Sequence, residues 1–118
     1  LCDVQASLKG ARELLEQVPQ RLRSGAWRSA CRMVERALAI SEYHLAIVYY
    51  LAARRKWRQA LRYVHNKNET LKAAQQYVRA AQRCLSRAEP YLKNTQDFQE
   101  LERQLSVLAH DICKSMGF

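Results

Sequence analysis

The chain has 118 residues, 48% of them hydrophobic, which is enough for one cored domain and too apolar for a disordered tail. Three Gly and two Pro, with few β-branched residues, exclude a sandwich or barrel, and the longest apolar run, 45–53, is far short of the ~20 residues of a membrane span. Twenty Lys and Arg against eleven Asp and Glu leave a net charge of +9, which points to an acidic partner.

Apolar spacing is helical throughout and predicts an all-α chain of about six helices in a single domain, 1–118. Val4, Leu8, Ala11, Leu15, Val18 and Leu22 form the first stripe, which Pro19 kinks or ends. Ser24-Gly25 breaks the chain before a second helix, about 26–40, with Trp27, Ala30, Cys31, Val34 and Ala37 on one face. Ser41 reads as the N-cap of a third helix, with Glu42 in its first turn. That helix holds the run 45–53, so it is expected to be buried nearly all round, Leu51 included. A fourth helix runs from about Lys56 to Asn66, and Asn66 with Glu69 suggests a capping box. Residues 68–118 read as a long antiparallel hairpin. Its stripes are Leu71, Ala74, Val78, Ala81, Leu85 and Ala88, ended by Pro90, and then Phe98, Leu101, Leu105, Leu108 and Ile112, with Gly117 as the stop.

Charge is unevenly placed. Between Arg21 and Lys67 stand eleven basic residues, most of them Arg, and only Glu35 and Glu42, so this segment carries the whole net charge. It also carries an internal repeat: Trp27-Arg28-x-Ala30-x-Arg32-x-Val34 returns thirty residues later as Trp57-Arg58-x-Ala60-x-Arg62-x-Val64. Repeats of this length commonly mean stacked helical hairpins. Gly25, Ala30, Val34 and Ala37 stand at the spacing of the second helix of a tetratricopeptide repeat, and Leu51-Ala52 resembles the Leu-Gly pair of the following first helix. Residues 12–67 are therefore similar to two tetratricopeptide-like hairpins, with a period of thirty where that family has 34. A competing resemblance in shape is to the three-helix microtubule-interacting-and-trafficking domains. Either resemblance implies a non-enzymatic scaffold that grips a peptide or helix of another protein.

In that arrangement Arg28 and Arg32 lie on one flank of their helix, and Arg58 and Arg62 on the same flank of its copy. Stacked hairpins would align the four in a ladder extended by Arg54 and Arg55, suited to carboxylates or phosphates. The plain alternative is a solvated flank in which Glu35 pairs with Arg28 or Arg32. Trp27 and Trp57 fall in the apolar stripes and are expected to wedge between helices, while Tyr49 and Tyr50 lie on different sides of their helix, so at least one can line a groove.

Cys2, Cys31, Cys84 and Cys113 lack metal spacing and read as reduced apolar residues. His44, His65 and His110 form no i, i+4 pair, so no metal, cofactor or catalytic residue is assigned. There is no signal-peptide pattern and no initiator Met, so the chain reads as an excised domain of an intracellular protein, cytoplasmic or nuclear. Expected partners are an acidic peptide or protein segment on the Arg face, and another chain's helix on the C-terminal hairpin. A nucleic-acid-binding helical domain and a secreted four-helix cytokine-like bundle are the alternatives.

Overall fold

A computed structural model describes residues 2–63 and 65–117, and among them every regular element is helical. The elements are α1 (Cys2–Glu16), a single 3-10 turn (Gln20–Leu22), α2 (Gly25–Arg62), α3 (Lys67–Leu92) and α4 (Gln96–Ser115). The chain is all-α, with four α-helices among the described residues and not about six. The second, third and fourth expected helices are one continuous α2 of 38 residues.

Ser41 explains the difference. Its Oγ donates to the Leu38 carbonyl at 2.7 Å and accepts from Gln5 Nε2 at 3.3 Å, so it satisfies itself within the helix and against α1 and caps nothing. No turn separates Arg55 from Lys56 either, and the last turn of α2 closes at Tyr63. Within segment 12–67, expected as two short hairpins, residues 25–62 are one long helix with α1 folded back along its first half. Val64, the last residue of the repeat, lies outside the described residues.

Other boundaries follow local chemistry. Ser24 Oγ accepts from the Trp27 N–H at 3.4 Å and starts α2. Asn66 takes the left-handed conformation at φ 57° before α3, without the side-chain cap expected of it. Pro90 does not end α3, which runs on to Leu92; near a helix end the proline sacrifices only one backbone bond. Gly117, at φ 88°, follows the last turn of α4.

The core lies between α2, α3 and α4. Ala39, Ala46, Ala53 and Ala60 of α2 are buried at every seventh residue, and so are Ala74, Ala81 and Ala88 of α3. Three contacts fix the antiparallel register of this pair: Tyr91 OH donates to Glu35 Oε2 at 2.6 Å, Arg87 meets Glu42 at 3.5 Å, and Tyr77 stacks on Tyr49. Stepping along the helices from these contacts brings Ala88 level with Ala39, Ala81 with Ala46 and Ala74 with Ala53. Small side chains at matched levels let two helices approach toward the near end of the usual ~8–10 Å range. Leu71, Val78, Leu85 and Leu92 then meet Phe98, Leu101, Leu105, Leu108 and Ile112 in one cluster.

That cluster consumes the α4 seam. The seam expected to be open to another chain's helix is filled by this chain's own α2 and α3. The hairpin of α3 and α4 lies along α2.

α1 packs on α2 alone, on a side of its first half that α3 does not cover. Trp27 Nε1 donates to the Leu15 carbonyl at 2.8 Å, and Arg23 closes the corner through the Val18 and Glu16 carbonyls while lying 4.5 Å over the Trp27 ring. The result is a rod of 63 × 26 × 18 Å with a radius of gyration of 18.3 Å. A compact chain of this length would have about 13.5 Å. No described helix is long and apolar enough to cross a membrane.

Candidate functional site

One continuous helix rules out the ladder. Thirty residues along α2 amount to about 45 Å of translation and about 120° of rotation, so Arg28 and Arg32 cannot stand beside Arg58 and Arg62. Arg28 and Arg32 are exposed on the first half of α2, away from the other four. Glu35 does not pair with them among the described residues; it accepts the Tyr91 hydroxyl, which holds that phenol above its ordinary pKa.

The structure does gather Arg54, Arg55, Arg58 and Arg62. All four line an open groove of about 740 Å³ along the second half of α2, with Val48, Leu51, Ala52, Gln59 and Tyr63. Leu51 is 46% exposed and Val48 51%, so Leu51 is groove lining and not core, contrary to expectation. The reason is the placement of α3 and α4, which pack on the Ala46–Ala53–Ala60 side and leave the opposite side of the apolar run open. Among the described residues no carboxylate lies within 4.0 Å of any of the six arginines.

Local chemistry orders the cluster. Arg54 is half-buried with its guanidinium 5.6 Å above the Tyr50 ring, which stations it on the ridge between this groove and a smaller one shared with α4. Tyr43 lines that second groove near Asp97, and burial and then the Asp97 charge raise its phenol pKa. Arg62 stands in the last turn of α2, where the helix dipole favours a cation. The groove therefore has an apolar end at Val48, Leu51 and Ala52 and a cationic end at Arg55, Arg58 and Arg62.

The twin tryptophans serve different joints. Trp27 holds α1, whereas Trp57 is half-buried against the core and its Nε1 donates to Ser115 Oγ at 3.2 Å, holding the end of α4. Tyr50 is the tyrosine of the adjacent pair that reaches a groove; Tyr49 stacks on Tyr77, with ring centres 6.2 Å apart.

Sequence reasoning missed a buried cluster. Glu42 is buried, its Oε2 has no hydrogen-bond donor, and its cation is Arg87. Beside it Cys84 is pushed up to about 11 by burial first and then by donating to the Glu42 carboxylate. Cys31 and Cys113 are half-buried free thiols, and the side chain of Cys2 lies outside the described residues. Among the described residues no His, Cys, Asp and Glu group is placed to hold a metal.

No protein-family model, no curated protein and no solved structure matches this chain. Fold and site therefore define its class by themselves: an elongated helical rod with one half-apolar, half-arginine groove.

Proposed function

We propose that the chain is a non-enzymatic interaction module, an adaptor or scaffold, that receives an acidic segment of a partner protein in the α2 groove. The observation that carries this is the juxtaposition of four arginines, without ion-pair partners among the described residues, and an aliphatic floor of exposed Val48 and Leu51 and half-buried Ala52. Arginine forks suit carboxylates, and an apolar floor suits aliphatic side chains. A phosphate backbone would use the cations but would leave the floor exposed to water, so the floor favours protein over nucleic acid. The tetratricopeptide resemblance implies the same class of function by a different arrangement of helices. Arg28 and Arg32 belong to the solvated surface in this reading.

The experiment is charge reversal with defined probes. Arg58→Glu with Arg62→Glu should retain helicity and abolish capture of a mixed acidic-aliphatic peptide. Arg28→Glu with Arg32→Glu should bind like the unmodified chain. Binding of an RNA or DNA oligonucleotide in preference to the peptide, with affinity falling steeply as salt rises, would overturn the proposal in favour of nucleic acid.

A further inference from the structure

The row of α2 residues that seats α1 does not stop where α1 begins. Trp27, Cys31, Val34, Leu38 and Ser41 follow alternate steps of four and three. Trp27 and Ser41, at its two ends, hold α1 through Leu15 and Gln5. The same alternation continues without a phase break through Leu45, Val48, Ala52, Arg55, Gln59 and Arg62. Steps of four and three keep residues on the side of a helix that a lengthwise neighbour covers. The arginine groove is thus the prolongation of the α1 seat, past the first turn of α1. From Val48 to Tyr63 it measures about 22 Å, the length of a helix of about 15 residues.

We infer that the groove takes an amphipathic helix of a partner protein, laid end to end with α1 and antiparallel to α2. Its first turns carry acidic side chains and its last turns apolar ones. This rests on the proposal that the groove receives an acidic protein segment, and it adds conformation, polarity and residue order.

Charge complementarity sets the order. The floor nearest α1 is apolar at Val48, Leu51 and Ala52, while the far end is cationic at Arg55, Arg58 and Arg62. A helix antiparallel to α2 brings its N-terminus to the Arg62 end. Acidic residues in its first turns are then favoured twice, by the arginines and by their own helix dipole. Its N-terminus also faces the C-terminal end of α2, so the two dipoles oppose and attract. A parallel helix would have to place its acids in its last turns against its own dipole, with the two dipoles aligned side by side. α1 is already antiparallel to α2 on the same row, and the occupant continues that geometry.

Two designed peptides of about 18 residues and equal composition test this. One has Asp and Glu in its first two turns and Leu and Ile in its last two; the other has that order reversed. Each carries a photo-crosslinker at one end or the other. The acid-first peptide is expected to bind the full chain at least about tenfold more tightly and to gain helicity on binding. Its N-terminal crosslinks are expected at Arg58–Tyr63 and its C-terminal ones at Val48–Ala52. Val48→Asn should weaken binding with the salt dependence unchanged, and Arg55→Glu with Arg62→Glu should abolish it.

Equal affinities, inverted crosslinks or binding without helix gain would overturn the inference and leave the acidic-segment proposal standing. Undiminished peptide binding by the Arg55→Glu, Arg62→Glu chain would overturn both. Self-association of the chain that the peptide cannot reverse would assign the groove to a second copy and overturn both as well.

Discussion

Ala53 and Leu51 sit two residues apart on α2 and face opposite environments, so substituting both tests the rotation of the helix. Ala53 is 0% exposed and stands level with Ala74, where two backbones approach most closely. Ala53→Leu forces three further carbons into a layer that has alanine on both sides. Overpacking in an ordinary core costs ~1–3 kcal/mol, and this layer yields only by separating the helices, so the upper end, about 3 kcal/mol, is expected. For a chain of this length that is a fall in Tm of about 10 °C. Leu51→Asp places a carboxylate in a position that is 46% exposed, with Arg54, Arg55 and Arg58 within two turns. Lost apolar contact and poorer helix propensity are partly offset by those cations, so its cost is expected within about 1 kcal/mol. Thermal and urea melts followed by circular dichroism read both variants. If Leu51→Asp unfolds the chain and Ala53→Leu leaves it intact, α2 presents the opposite side to α3.

Further outcomes concern the buried cluster. Cys84 is neutral in the folded chain up to about 11 but ionises near its ordinary value of 9.0 when unfolded. The stability it contributes is therefore fully present below pH ~9 and is lost as pH rises toward ~11, at most about 2–3 kcal/mol. Cys84→Ser should flatten that alkaline loss relative to the unmodified chain, and urea titrations at both pH values check it. Arg87→Ala strips buried Glu42 of its cation and should cost ~1–3 kcal/mol. Adding Glu42→Gln should restore most of that loss in a double-mutant cycle, and a silent Arg87→Ala would show that the pair is immaterial.

The helical class, the break at Ser24-Gly25 before a helix, the α3–α4 hairpin and both of its apolar stripes were legible in the sequence. Their signals are local, and each stripe is buried as its spacing demands. The organisation of 25–62 was not, because two genuine signals pointed the wrong way. Ser41 has the residue type of an N-cap but bonds back to Leu38. The thirty-residue repeat spans a little over eight turns of a single helix, so its copies face different directions. A better signal was present in Ala39, Ala46, Ala53 and Ala60, whose seven-residue period passes unbroken through Ser41 and Lys56. It marks one helix packed closely against one neighbour. The concentration of positive charge in 21–67 was legible, but which arginines stand together depended on helix continuity and rotation. Four of the six converge, and Arg28 and Arg32 do not. Leu51 misled because a nine-residue apolar run implies burial on every side, whereas α3 and α4 cover only one.

Chemical-shift mapping of the isotope-labelled chain, titrated with the acid-first peptide at moderate salt, tests the groove most directly. Backbone amides of Val48, Leu51, Ala52, Arg55, Arg58 and Arg62 are expected to move together and saturate, with Arg28, Arg32 and the buried face at Ala46, Ala53 and Ala60 unmoved. Saturable shifts centred on Arg28–Arg36, or none along 48–62, would contradict the assignment of the partner site to the second half of α2.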